Sequence, residues 1–243
     1  MAKIHMILQG KGGVGKSFIA SILAQHCYAK NKDALCIDTD PVNSTLHGFK
    51  ALNVKRLDLM EGDEIDPRKF DGLIELISNS KADVVIDNGA STFVALSHYL
   101  ITSHIPELLK GMGHDLIVHS VITGGQALTD TLHGFNKVIK QFPGDVSFVV
   151  WLNPFWGKIE NDGKGFESMK AYLDNKSRIS AIIKIPVYKS ETFGRDLTDM
   201  LQDKMTFDDA IKKPESTIMV RQRLTMIKRE LFEQVDGAIA VLT

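Results

Sequence analysis

Short apolar segments of strand length alternate along the chain with longer segments of helical length. The apolar segments lie at 3–9, 34–37, 82–86, 115–122, 146–152 and 179–185, and the helical ones at 16–30, 66–78, 92–110 and 126–141. Unbroken apolar strands between helices are typical of a parallel sheet that is covered on both faces. The pattern therefore predicts an α/β fold, in which a doubly wound, mostly parallel sheet is flanked by helices and binds ligands at the carboxyl ends of its strands.

A final helix is predicted within 215–243, packed on the rest of the chain. Apolar residues recur there on one helical face, namely Val220, Leu224, Ile227, Leu231, Val235 and Ala238. The sequence contains no Pro/Ser-rich linker, charge block or internal repeat that would divide it. We therefore expect a single domain over residues 1–243.

Composition narrows the classes of function. The 243 residues carry 29 Lys and Arg against 30 Asp and Glu, a net charge of −1, which excludes a generally basic nucleic-acid binder. The sequence has no run of about 18 apolar residues, so no membrane-spanning segment is expected. The first residues lack the layout of a signal peptide, and two cysteines, Cys27 and Cys36, are too few for a disulfide framework. A reducing cytoplasm is the expected compartment.

The strongest motif follows the first predicted strand and opens the first predicted helix. It fits the pattern G-x-x-x-x-G-K-[ST] and consists of Gly10, Lys11, Gly12, Gly13, Val14, Gly15, Lys16 and Ser17. Glycines let successive backbone N–H groups turn inward around an anion, and the helix N-terminus adds a partial positive charge. Lys16 is expected to contact the β- and γ-phosphates of a nucleotide, and Ser17 to bind Mg²⁺ directly. The motif predicts a P-loop.

Polar side chains come at the ends of three other predicted strands. Asp38 and Asp40 follow the second strand, and Asp87 follows the third. Beside a phosphate site, carboxylates can orient a water molecule or hold Mg²⁺-bound waters. Asn153 ends the fifth strand, where its amide offers both a donor and an acceptor, although Asn153-Pro154 is equally typical of a turn.

Together these segments resemble the ParA/MinD group of P-loop ATPases. The loop from Lys11 to Ser17 is similar to the deviant Walker A loop of that group, Asp38-Thr39-Asp40-Pro41 to its first switch, and Asp87 to its Walker B aspartate. The resemblance implies ATP and Mg²⁺ as cofactors. It also implies a homodimer when ATP is bound, in which Lys11 reaches the nucleotide of the facing subunit.

The same resemblance implies roles for single residues. The expected catalytic residues are Lys11, Lys16, Asp40 and Asp38. Asp40 would position the attacking water, and Asp38 and Asp87 would contact Mg²⁺ through water.

Further positions are implied around the nucleotide. Asn153 and Pro186 would lie at the adenine base. The segment Asn88-Gly89-Ala90-Ser91 would form the second switch, and Gly124-Gly125 another loop near the site.

The opening residues 1–10 and the segment Asp40-Pro41-Val42-Asn43 resemble the TraL-type proteins of plasmid conjugative transfer regions. This implies a bacterial, cytoplasmic switch with slow ATP hydrolysis and a protein partner in the plasmid transfer machinery, acting in conjugative transfer or plasmid maintenance. Three alternatives stay open: a ParA-type DNA segregation ATPase with non-specific DNA binding, a nucleotide-gated docking module without turnover, and a small-molecule kinase or ligase.

A basic cluster bears on the DNA-binding alternative. Residues 211–229 contain six basic side chains and one acidic side chain, Glu215, so that six minus one gives a local charge of +5. The basic residues are Lys212, Lys213, Arg221, Arg223, Lys228 and Arg229. They are interpreted either as a solvated helix face or as a non-specific DNA contact surface.

Overall fold

The computed structural model describes residues 2–30 and 32–242. Its strands, in chain order, are β1 (Lys3–Ile7), β2 (Ala34–Asp38), β3 (Lys55–Arg56), β4 (Met60–Glu61), β5 (Glu64–Ile65), β6 (Asp83–Asp87), β7 (Asp115–Thr123), β8 (Ser147–Asn153), β9 (Glu160–Asn161), β10 (Lys164–Gly165) and β11 (Ile179–Lys184). Within these residues, seven strands form a parallel sheet in the order β11-β8-β7-β1-β6-β2-β3. The pairs β4–β5 and β9–β10 form small antiparallel hairpins. The predicted parallel sheet is confirmed.

Helices cover both faces of this sheet. In chain order they are α1 (Lys16–Ala29), α2 (Phe70–Ser78), α3 (Phe93–Thr102), α4 (Ile105–Gly111), α5 (Leu128–Gln141), α6 (Lys170–Leu173), α7 (Phe193–Gln202), α8 (Phe207–Lys212) and α9 (Ile218–Ala240). Side chains of α2 to α6 share one buried cluster with Ile4 and Val84 of the sheet. Side chains of α1, α7, α8 and α9 share the other with Ile7 and Val85. Alternate residues of each strand therefore face opposite layers of helices, which explains why the strands are apolar throughout.

Parallel register brings the carboxyl ends of the central strands to one edge. Ile7 of β1 pairs with Asp87 of β6, which pairs with Asp38 of β2. Thr123 of β7 lies beside Asn153 of β8. Because loops follow all these residues, the loop after β1, the two carboxylates and Asn153 lie at the same edge of the sheet, where ligands bind in folds of this kind.

Three buried side chains form a row of hydrogen bonds across the middle of the sheet. Trp151 Nε1 donates to His119 Nδ1 at 2.9 Å, and His119 Nε2 lies 2.9 Å from His5 Nδ1. Since His119 Nδ1 accepts, the proton of His119 lies on Nε2 and is donated to His5. Burial lowers the pKa of His5 to about 4 and that of His119 well below its usual value. Both imidazoles are therefore neutral at pH 7.

The region predicted as one helix, 92–110, forms two helices, so that prediction is wrong. α3 ends at Thr102 and α4 begins at Ile105. Between them His104 has a φ of 51°, and Pro106 lies in the first turn of α4. Proline lacks an N–H and its ring collides with the carbonyl four residues before it, so a helix can begin at Pro106 but cannot continue through it.

The C-terminal helix is present as α9, and its predicted apolar face is buried from Leu224 to Ala238. The sequence pattern did not predict α7 and α8. A signal for α8 exists in Thr206 and Asp209, whose side chains each accept from the other's backbone N–H as a capping box. None of the helices in residues 2–30 and 32–242 combines the length and the hydrophobicity needed to cross a lipid bilayer.

Candidate functional site

The loop at 10–17 joins β1 directly to α1. Gly13 and Gly15 have φ values of 72° and 96°, a backbone region that glycine adopts without the strain that a side chain adds. Gly15 also has a steric requirement, because a methyl group there would lie 2.7 Å from Asn153 Nδ2. α1 begins at Lys16, so the N–H groups of its first turn point towards the loop. The loop therefore has the strand–loop–helix setting that a phosphate site needs.

The two lysines of this loop have different environments. Lys16 is buried, and its Nζ donates to the Lys11 carbonyl at 2.9 Å. Burial lowers the pKa of Lys16, opposed by the negative charges of Asp87 and Asp40. The Lys11 side chain is 43% exposed, and its Nζ donates to Asp130 Oδ2, in the first turn of α5, at 2.8 Å. Lys16 thus lies inside the site, whereas Lys11 is held at the surface.

Asp87 and Ser17 form a polar pair beneath the loop. Burial raises the pKa of Asp87 to about 7, against the opposing effects of a hydrogen bond from Ser17 and the charge of Lys16. Among the described residues, Asp87 Oδ1 is buried without a hydrogen-bond partner. Mg²⁺ prefers oxygen ligands and keeps several of its waters. An unpartnered carboxylate oxygen near a hydroxyl therefore fits a hydrated Mg²⁺ ion.

Asp38 holds the first switch in place. Its Oδ1 accepts the Asp40 N–H at 3.0 Å, and its Oδ2 accepts the His47 N–H at 2.9 Å. Burial raises the pKa of Asp38, while these two hydrogen bonds lower it. Both oxygens therefore already have partners within the protein, and an added contact with a metal-bound water stays a prediction.

Asp40 lies where the two switches meet. Its Oδ1 accepts the N–H groups of Val42 at 2.9 Å and Asn43 at 3.1 Å. The carboxylate also rests against Gly89, since a methyl group built there would lie 2.6 Å from Asp40 Cγ. Asp40 lines the same cavity as Lys16, so its predicted position beside the phosphates is compatible with this geometry.

The last residue of β8 and the segment that follows it bind carbonyl groups of the P-loop. Asn153 Nδ2 donates to the Val14 carbonyl at 2.9 Å, and Asn153 Oδ1 accepts the Phe155 N–H at 3.3 Å. Trp156 Nε1 donates to the Gly13 carbonyl at 3.0 Å. The Asn153 amide therefore holds two loops together, and its expected contact with an adenine base stays a prediction.

Two adjoining cavities lie over the loop. The first, of about 620 Å³, is lined by loop and switch residues that include Lys16, Ser17 and Asp40. The second, of about 450 Å³, is more apolar and includes Asn153 and Pro186. A cavity lined by charged side chains, next to one whose lining residues carry no charge, suits the phosphates and the base of a nucleotide. A larger cavity, of about 910 Å³, lies at the amino ends of β2 and β6, away from the loop.

Two further predicted features lie in the surroundings of the loop. Gly124 and Gly125 pack against the loop after β8: a methyl group on either would collide with the carbonyl oxygen of Lys158 or Trp156. Their lack of a side chain is thus explained by loop packing.

The basic cluster is largely paired: the ion pairs are Arg223–Asp196, Lys228–Asp208, Lys213–Asp203 and Arg229–Glu233.

Sequence reasoning missed the contacts of three residues around the loop. Gln9 is fully buried, and its Nε2 donates to the carbonyls of Val121 at 2.8 Å and Thr131 at 3.1 Å, which ties β1 to β7 and α5. The contacts of Asp130 with Lys11 and of Trp156 with Gly13 were also missed. They lie 119 and 143 residues along the chain from their partners in the loop, so no local pattern marks them.

Comparison with known proteins identifies the family of the chain. The family described as the CobQ/CobB/MinD/ParA nucleotide binding domain matches residues 5–233. Protein TraL of Escherichia coli is 62% identical over 238 residues, which cover 98% of this chain and 99% of TraL.

Two solved structures have a similar fold. The MinC:MinD cell division protein complex of Aquifex aeolicus has a TM-score of 0.54 at 16% identity, with 96% of each chain covered. A plasmid partition protein of Borrelia burgdorferi has a TM-score of 0.50 at 16% identity, with 98% of this chain and all of that chain covered. The family match spans the β1–α1 loop, both switches and all seven strands of the sheet except the first residues of β1. The chain therefore belongs to the CobQ/CobB/MinD/ParA nucleotide-binding family.

Proposed function

We propose that the protein is an ATP-binding switch that hydrolyses ATP slowly and dimerises face to face when ATP is bound, its whole length forming one ATPase domain. The proposal rests mainly on the different positions of the two P-loop lysines. Lys16 lies in the phosphate cavity, while Lys11 extends to the surface and pairs with Asp130. A surface ion pair is weak, so Lys11 can leave it when a stronger anion is offered. The γ-phosphate of a facing subunit is such an anion.

In this proposal each residue has one task. The backbone N–H groups of the loop and Lys16 bind the phosphates. Ser17 and Asp87 would hold Mg²⁺, which when bound neutralises phosphate charge. Asp40 orients the attacking water, and Lys11 of the facing subunit adds positive charge where negative charge develops. Hydrolysis then releases the contacts that keep the switches and the dimer closed.

The biological setting is proposed from the relatives. TraL is 62% identical over nearly the whole of both chains, and the sequence resembles the TraL-type proteins of plasmid conjugative transfer regions. We therefore infer a role in conjugative transfer or plasmid maintenance, with a protein partner in the transfer machinery. DNA contact through the basic cluster at 212–229 is a weaker candidate, because Arg223 and Lys228 are only 20% exposed and pair with Asp196 and Asp208.

The experiment compares three lysine variants. Lys11→Ala should bind a fluorescent ATP nearly as the unmodified protein does but should stay monomeric with a non-hydrolysable analogue. Lys16→Ala should lose binding. Lys30→Ala is the matched control, since Lys30 is 49% exposed and forms an ion pair of the same length, 2.8 Å, with Asp236; it should dimerise normally.

Sedimentation velocity and phosphate release supply the readouts. A protein that stays monomeric with ATP, or a Lys11→Ala variant that dimerises as well as the Lys30→Ala variant, would contradict the dimerisation proposal. Binding without phosphate release at any protein concentration would favour a nucleotide-gated docking module. ATP binding that Lys16→Ala leaves unchanged would remove the P-loop from the mechanism.

A further inference from the structure

A chain of buried hydrogen bonds joins the two switches. Thr39 Oγ1 donates to the Asp87 carbonyl at 3.0 Å and lies 3.3 Å from Asn88 Oδ1. Thr92 Oγ1 lies 2.5 Å from the same Asn88 oxygen and 3.1 Å from the Gly89 carbonyl. Thr39, Asn88 and Thr92 are all buried. Buried hydrogen bonds of this kind hold their partners firmly, because breaking one leaves a polar atom without water.

A second contact between the two switches joins Gly89 and Asp40, and it depends on Gly89 having no side chain. A methyl group at Gly89 would lie 2.6 Å from Asp40 Cγ, 2.7 Å from its Oδ1 and 3.0 Å from its Oδ2. The Asp40 carboxylate therefore occupies the space that a Cβ would fill. The backbone at Gly89 cannot easily retreat, since Asn88 Nδ2 donates to its carbonyl at 3.0 Å and Asn88 Oδ1 in turn accepts from Thr92 Oγ1. Any added atom would displace Asp40.

We propose that Gly89 is a positioning residue for Asp40: the second switch provides the surface on which the first switch orients its carboxylate. Movement of either switch then moves the other, because they share this contact and the Thr39–Asn88–Thr92 chain. The inference rests on the proposed function, in which Asp40 orients the attacking water. The contact itself lies within the protein, and testing it needs no nucleotide.

The test combines Gly89→Ala, Asp40→Ala and the double variant. Gly89→Ala should bind a fluorescent ATP with a dissociation constant within about twofold of that of the unmodified protein, since the P-loop is intact. Its kcat for phosphate release should fall by about tenfold or more, with KM little changed, because a displaced carboxylate no longer orients the attacking water. The double variant should be no slower than Asp40→Ala, since Gly89 acts through Asp40.

Amide exchange supplies a readout that needs neither nucleotide nor turnover. The N–H groups of Val42 and Asn43 donate to Asp40 Oδ1, so displacing that oxygen should raise their exchange rates roughly tenfold in Gly89→Ala. Gly144→Ala is the matched control, because a methyl group there meets no atom within 4 Å among the described residues. It should change neither exchange nor turnover, and a thermal melt confirms that each variant is folded.

Three results would overturn the inference. These are unchanged exchange at both amides in Gly89→Ala, a kcat equal to that of Gly144→Ala, or a double variant much slower than Asp40→Ala. Failure of the proposed function has a different signature. If the unmodified protein neither binds nor hydrolyses ATP, the ATPase proposal is wrong, while the exchange rates still decide whether Gly89 positions Asp40.

Discussion

Asp87 should make Mg²⁺-dependent nucleotide binding depend on pH near neutrality. Burial raises its pKa to about 7, so about 10% of molecules carry the carboxylate at pH 6 and about 90% at pH 8. A metal site requires the deprotonated form. The apparent affinity for MgATP should therefore rise about ninefold over this range, in proportion to the competent fraction.

Through Asp87, folding stability should depend on pH in the opposite direction to MgATP binding. Because its folded-state pKa lies above the usual value of 3.8, the folded protein keeps a proton that the unfolded chain has already lost. The contribution of Asp87 to the free energy of unfolding is therefore present below pH ~4 and is lost as the pH rises towards ~7.

Fluorescent-ATP titrations at pH 6, 7 and 8, with Mg²⁺ and with EDTA, measure the binding effect. The terminal phosphate of ATP also titrates near pH ~6, so the informative quantity is the difference from Asp87→Asn, which keeps the shape of the side chain but cannot ionise. The Mg²⁺-dependent part of the slope should disappear in that variant. An equal slope in both proteins would refute the assignment of Asp87 to the metal site.

Three further predictions concern the loop and the core. Gly15→Ala should lower the free energy of unfolding by about 2–4 kcal/mol and weaken ATP binding. The φ at this position is strained for alanine, and the added methyl group displaces Asn153. Urea denaturation and ATP titration check this. Asp130→Asn should strengthen the ATP-dependent dimer, because Lys11 no longer leaves an ion pair in either subunit; sedimentation at several protein concentrations measures it, and an unchanged dimer constant contradicts it. The pKa of His5 is lowered to about 4, so as the pH falls below ~6.5 the unfolded chain takes up a proton before the folded protein does. His5 alone should therefore lower the free energy of unfolding by about 3 kcal/mol by pH ~4. Urea unfolding at pH 7 and 4.5, with His5→Gln as reference, tests this.

Features encoded locally could be predicted from the sequence. The parallel sheet follows from runs that are apolar on both faces, and α9 from an apolar stripe at helical spacing. The P-loop could be located because its glycines, Lys16 and Ser17 are contiguous. Asp87 could be placed beside it because parallel strands end at a common edge.

Features that depend on distant partners could not be predicted in this way. Nothing near Lys11 in the chain indicates that Asp130 is its partner, and nothing near Gly13 indicates Trp156. Asn153 shows the same limit, because its amide bonds to Val14 across two loops. The break between α3 and α4 is different: Pro106 marks it locally, and the apolar pattern obscured that signal.

The position of Trp156 lets the intrinsic fluorescence of the protein report on the P-loop. Trp156 is 55% exposed and bonds to the P-loop through Gly13, so its emission depends on that loop and on solvent. Trp151, the other tryptophan of the sequence, is buried and bonded to His119, which makes it a constant background. Ligand entry, loop rearrangement and association of subunits can therefore be timed by stopped-flow fluorescence without attaching a dye.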